Sequence, residues 1–345
     1  MTARVGQARE PLSAATPGAG RRSVPRAGWL VVARKEFGDH LLSARFSVLL
    51  VVLGLAAAIP LYFAAEAVRL QASDIAGAQA VFIALFWLAP EAGGQITLPS
   101  AAGFLAYVAP LLGLAFAFDA VNGERAQGTL PYLLSQPIHR DDVINGKFAA
   151  GLAVIGLVLA TVVGVIGAVG LIQLGIRPAP GELLRLLLWV LLTFLYVSLW
   201  LAFGTLLSVV VRRAATSALV GFGAWLLLTF FGGLITSLLG GFIAPLSGRP
   251  DEILRNNAFQ ETLARLLPDT LYREASLVLL NPQVTDVSTP STVAGYEQAA
   301  QRIPSLLSLD QSFTLVWPQV VALVALTVGC FALAYVQFMR QEVRA

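Results

Sequence analysis

Residues 119–147 read DAVNGERAQGTLPYLLSQPIHRDDVINGK, a polar stretch between the apolar, charge-free runs Ile96–Phe118 and Phe148–Ile176. Its punctuation predicts two bends. A helix over Asp119–Ala126 stops at Gly128, which takes the left-handed geometry of a helix end most readily. Thr129 then caps a second helix, with Pro131 in its donor-free first turn. That helix is short, because Pro137 removes an amide and biases Gln136 out of helical geometry, leaving roughly two turns. Leu130, Leu133 and Leu134 fall on one side of it. Asp141 and Asp142 suit the first turn of a third helix, where negative charge meets the positive dipole end. This helix runs through Lys147 into the next apolar run. The stretch therefore reads as a helix, a sideways rung with a small apolar face, and a helix.

Glu124-Arg125, Gly128-Thr129-Leu130, Leu133-Leu134-Ser135, Pro137-Ile138, Arg140 and Gly146-Lys147, in this order between two spans, resemble the first cytoplasmic loop of ABC-2 type permeases. These are the membrane subunits of ABC transporters. The resemblance implies that the rung is a coupling helix docking into a groove on a separate ATPase subunit. The ATPase-coupling residues would be Glu124, Arg125, Gly128, Thr129, Leu130, Leu133, Leu134, Pro137, Arg140 and Lys147. It further implies a second permease copy as partner, identical or different, with ATP and Mg bound by the ATPase and no cofactor in this chain. Export of lipids, drugs, peptides or polysaccharides, or mechanical work on an outer partner, is the implied task. A copper-maturation role, known for one branch of the family, gains no support from the histidine and cysteine count. An ordinary solvated hairpin with a few buried leucines is the plainer alternative.

Composition supports a membrane setting. The chain is 57% hydrophobic and 12% charged over 345 residues, whereas soluble domains carry about a quarter charged residues. One cysteine, Cys330, excludes a disulfide framework, and His40 and His139, on opposite sides of the first two spans, cannot make a conventional zinc or copper centre. Asn145-Gly146-Lys147 is followed by Phe148, with Asp141 where the first glycine of a phosphate loop belongs, so ATP hydrolysis falls to another polypeptide.

Six charge-free runs reach the roughly 20 residues that cross a bilayer: Phe46–Ala65, Ile96–Phe118, Phe148–Ile176, Leu186–Val211, Ala214–Gly248 and Gln311–Met339. The expected fold is an all-α integral membrane protein. The fifth run exceeds one span, and a break is expected near Gly240, Gly241 and Pro245. Pro60, Pro110 and Pro318 should kink or start their helices, with neighbouring helices satisfying the freed carbonyls. Glycines 164, 167 and 170 permit close helix contact. Ile75–Pro90 is too short to span and reads as interfacial or re-entrant. With six spans and both termini inside, 15 of the 23 Lys and Arg lie on the inner side and 8 outside, the sign the positive-inside rule requires.

Residues 1–28, with Arg4, Arg9, Arg21 and Arg22, read as a disordered basic tail. Over 29–45, Leu30, Ala33, Phe37 and Leu41 recur at helical spacing, the pattern of an amphipathic interfacial helix or of one packed on the cytoplasmic loops. Residues 249–310 form the outer segment, expected as amphipathic helices followed by a Ser/Thr/Pro-rich connector near Val287–Thr292. It either caps an exit route, holds an extracytoplasmic partner, or is a passive lid. Glu66, Asp119 and Arg185 sit at span ends, where snorkelling is expected. The absence of ionisable groups from the span cores leans toward an apolar cargo or none. The rival reading is a polytopic scaffold or a lipid-modifying enzyme using Asp269, Arg273 and Glu274.

Overall fold

The computed structural model of the chain describes residues 28–70, 81–89, 91–92, 96–97, 99–129, 139–247, 249–282 and 308–341. Six helical stretches are long and apolar enough to cross a membrane. Spans 1 and 2 are α2 (Ala44–Leu70) and α4 (Ala101–Ala117), the latter continuing through a turn into α5 (Asn122–Gln127). Spans 3 and 4 are α6 (Arg140–Ile172) and α7 (Pro180–Val210). Span 5 joins α8 (Ala214–Leu226) to α9 (Gly232–Ile243), and span 6 is α12 (Leu309–Arg340). Shorter helices surround them: α1 (Gly28–Leu41), α3 (Val81–Trp87), α10 (Pro250–Ala264) and α11 (Pro268–Leu280). Among the described residues the single departure from an all-α protein is a two-residue antiparallel pair, Glu91–Ala92 against Ile96–Thr97.

The span limits shift from those of the charge-free runs, most informatively in spans 2 and 5. Span 2 starts at Ala101 rather than Ile96, because the Ser100 hydroxyl caps it by accepting the Gly103 amide at 3.1 Å. Span 5 runs unbroken past Gly240 and Gly241, ending at Ile243 just ahead of Pro245. Its irregularity lies earlier, in a π-helical turn over Leu227–Phe231 that sets Phe230 flat against Tyr107 of span 2.

Lipid offers no hydrophobic drive between helices, so their association rests on close packing and hydrogen bonds. Spans 2 and 4 form the centre: 67% and 61% of their apolar windows are buried, against 11% for span 5. They approach closely at Gly113, where a Cβ would stand 2.6 Å from the Val197 carbonyl oxygen. Pro110, inside α4, leaves the Ala106 carbonyl without its helical donor, and the Tyr196 hydroxyl supplies one at 3.3 Å.

Of the run at 75–90, residues 81–89 are described, and they hold the short buried helix α3. Phe82, Ile83, Leu85 and Phe86 are all inside the core. Glu182 organises this corner, accepting the Phe82 and Ile83 amides at 3.0 and 3.4 Å and, through its other oxygen, the Ala179 amide at 2.7 Å. One carboxylate thus caps two helices. Gly170 gives α3 room, since a Cβ there would meet Leu85 at 2.8 Å, whereas Gly164 faces open space.

Helix α11 is no superficial lid. Leu271, Tyr272, Ala275, Val278, Leu279 and Leu280 are buried among the spans, and successive turns of α7 bond to it. Thr193 meets the Tyr272 hydroxyl at 3.0 Å, the Trp189 indole donates to Ser276 at 3.2 Å, and Arg185 reaches the Leu279 carbonyl. Arg185 therefore does not snorkel: it is buried, donating also to the Ser312 hydroxyl at 3.0 Å.

Candidate functional site

The polar stretch leaves the bundle where α4 ends, at the end remote from α11. Asp119 opens it and pairs with Arg45, at the start of span 1, at 2.7 Å. Gly128 stops α5 with φ 69°, as expected. The Gly128 and Thr129 amides donate to the carbonyls of Arg125 and Glu124 at 3.1 and 3.0 Å. The Thr129 hydroxyl also turns back, to the Glu124 carbonyl at 3.3 Å, so it helps close α5. Its expected role as cap of the rung, together with Leu130, Leu133, Leu134 and Pro137, falls on 130–138, outside the described residues.

The second post of the loop begins at His139. Arg140, half-buried, is the first residue of α6. Asp142 accepts the His139 amide at 3.1 Å and the Trp29 amide at 2.9 Å, so the expected first-turn acid also ties α1 to α6. The two helices touch at Gly146, where a Cβ would come within 2.7 Å of the Trp29 carbonyl oxygen.

Lys147 is the electrostatic centre. Its ammonium lies 2.7 Å from Glu124 of α5 and 3.1 Å from Glu36 of α1, with side-chain exposures of 7%, 18% and 12% for Lys147, Glu124 and Glu36. Burial alone would raise the Glu36 pKa, but Lys147 and Lys35 outweigh it and hold the carboxyl below the ordinary glutamate value.

Arg125 fixes α5 to the far side of the bundle. Its guanidinium donates to the Val209 carbonyl at 3.2 Å and to the Gln341 side-chain oxygen, while the Gln341 amide donates to the same Val209 carbonyl at 2.8 Å. One turn away, the Ser208 hydroxyl accepts the Val121 and Asn122 amides at 2.9 and 3.3 Å, and the Asn122 side chain donates to the Val211 carbonyl at 3.3 Å. Both posts are thereby joined to each other, to α1, and to the ends of spans 4 and 6. The loop's two ends are thus held by ion pairs and hydrogen bonds to four other helices.

A profile of the family described as "ABC-2 family transporter protein" matches residues 30–343. The chain belongs to the ABC-2 transporter family. It is similar to the probable ABC transporter permease protein NosY of Stutzerimonas stutzeri, 31% identical over 163 residues, 42% of this chain and 55% of that protein. The protein of the same name from Pseudomonas aeruginosa is 28% identical over 280 residues, 76% of this chain and 88% of its own length. The chain thus spans about half of the first relative and most of the second.

Four residues of this ABC-2 permease complete the loop's base although no motif marks them: Glu36, Asn122, Ser208 and Gln341. For Glu36 a signal existed. It lies four residues after Val32 and three after Ala33, and these are the residues α1 buries, whereas Leu30, on the expected apolar stripe, is exposed. A carboxylate in the middle of a buried helical face requires a cation, and Lys147 is one of the two lysines in the chain. Ser208 and Gln341 had no such signal, because hydroxyls and amides near span ends most often bond their own backbone.

At the opposite end, Asp269 pairs with Arg273 at 2.7 Å, and Glu274 with Arg265 at 3.0 Å and the Gln319 amide at 2.9 Å. The Arg273 guanidinium sits 4.1 Å above the Tyr107 ring. Each carboxylate of the rival enzymatic reading thus has a cationic partner. Among the described residues no three His, Cys, Asp or Glu side chains converge as a metal-ligand group.

Proposed function

We propose that this chain is the membrane subunit of an ATP-driven transporter whose ATPase is a separate polypeptide docking on residues 130–138. Leu130, Leu133 and Leu134 would fill the docking groove, and Glu124, Arg125, Gly128, Thr129, Arg140 and Lys147 would hold the loop that presents them. The positive-charge excess supports placing the loop and both termini on the cytoplasmic side of the cytoplasmic membrane. The subunit would work with a second permease copy, ATP and Mg being bound by the ATPase, in export or in mechanical work on an outer partner.

The main support for this reading is the buried Lys147 between Glu36 and Glu124. A loop that needed only to be solvated would gain little from three charges removed from water, since desolvation offsets much of their attraction. Rigid posts on a loop that transmits force do require such a fixed junction. Converting a membrane domain from 1:99 to 99:1 between two states takes about 5.5 kcal/mol of differential binding, and a loose hairpin would dissipate it.

The test is association. Replacing Leu133 and Leu134 together with aspartate should abolish copurification of the partner ATPase while leaving the protein inserted in the membrane. Normal copurification and ATP hydrolysis by that variant would show the docking site to be misassigned.

A further inference from the structure

Sequence order suggests that a push on the loop enters the bundle through spans 2 and 3, the helices it connects. The contacts of α5 point elsewhere. Its first turn is held by Ser208 of span 4, through the Val121 and Asn122 amides. Its Arg125 is held by the Val209 carbonyl of span 4 and by Gln341, the residue that caps span 6. Gln341 closes the triangle by donating to Val209. The hydrophobic packing under this triangle is continuous, with Val121, Val143, Ile144, Val209, Ala334 and Phe338 in one buried cluster. Yet hydrogen bonding is incomplete: the Asn122 side-chain oxygen and one Glu124 carboxylate oxygen are buried without a donor among the described residues. Buried acceptors left open are costly, and a second arrangement of the same residues can fill them, as expected of an element with two discrete states.

We propose that Ser208 and Gln341 are positioning residues for coupling, which pass the loop's displacement directly into spans 4 and 6. This rests on the ATP-driven reading above. Span 4 is the central helix and carries α11 on its other half, so a shift delivered at Ser208 reaches the opposite end of the molecule along one helix. Span 6, with much of its surface facing outward, follows through Gln341.

The experiment uses the full chain with its ATPase in lipid nanodiscs. Cys330→Ser removes the native thiol, and spin labels on cysteines replacing the exposed Val165 of span 3 and Leu333 of span 6 report their separation. The distance is measured without nucleotide and with ATP plus vanadate. The variants are Ser208→Ala and Gln341→Ala, with Ser208→Thr as the hydroxyl-retaining control. ATPase copurification should be unchanged in all three. In both alanine variants, the fraction of molecules making the nucleotide-dependent shift should fall by about fivefold for each hydrogen bond removed, and Ser208→Thr should restore it. An undiminished shift in both alanine variants would overturn the proposal. So would a Ser208→Thr variant as impaired as Ser208→Ala, because bulk would then be the cause. If the unsubstituted complex shows neither copurification nor a shift, the ATP-driven reading itself fails.

Discussion

Replacing Lys147 with methionine is the most demanding test of the electrostatic argument. The substitution keeps an unbranched, helix-compatible side chain of similar length, so packing between α1, α5 and α6 should survive. What changes is charge: Glu124 loses its cation at 2.7 Å and Glu36 its cation at 3.1 Å, leaving the latter with Lys35 at 3.1 Å. Removing one partner of a buried pair typically costs about 3–5 kcal/mol, because a charge is left in a poorly solvated site. The assay is unfolding of the purified protein in mixed micelles, followed by tryptophan fluorescence. Lys147→Met should lose stability in that range, and the triple change Lys147→Met, Glu36→Gln, Glu124→Gln should recover most of it. The pH dependence gives an independent check. Glu36 has a folded pKa below its ordinary value of 4.5, so its contribution is present above that value and is lost as pH falls through the folded pKa. In Lys147→Met the downward pull of Lys147 is gone and burial remains, so the acid-side loss should flatten. A single variant within about 0.5 kcal/mol of the parent, or a triple variant no better than the single, would mean that charge does not hold this junction.

Gly128 at φ 69° should tolerate asparagine better than alanine, and Gly128→Val should cost roughly 1–2 kcal/mol, read by the same unfolding assay. Gly113→Val drives carbon into the Val197 carbonyl at the crossing of spans 2 and 4 and should lower stability by about 1–3 kcal/mol, visible as reduced monodisperse protein after extraction. Trp189→Phe removes the hydrogen bond to Ser276 and should cost about 1 kcal/mol. Trp317→Phe, at an exposed position of span 6, should cost nothing measurable.

The spans were legible because charge-free length is a one-dimensional property, and the turn at Gly128 because a left-handed backbone leaves a glycine in the sequence. The limits of span 2 were not, since Ile96–Thr97 is as apolar as the helix that follows and a serine cap outweighed hydropathy. Arg185 looked like a span-end residue that snorkels, and nothing in the sequence singled out Glu182. Their partners, Ser312, Leu279 and the α3 amides, come from segments about a hundred residues away, and only folding brings them together.

The base of the loop divides the same way. Glu124, Arg125 and Lys147 stood out because the family pattern marks them, but the pattern says nothing of what they touch. Lys147 is bound to α1, a helix outside the motif, and Arg125 to carbonyl and amide groups of spans 4 and 6 that no residue preference records. A side chain that grips backbone can be matched by almost any residue at the gripped position. Val209 could be another apolar residue without loss of the hydrogen bond it accepts, whereas Arg125, which makes the bond, could not be replaced. At Val121 and Asn122 the roles reverse: there the loop supplies the backbone and Ser208, which no motif marks, supplies the side chain.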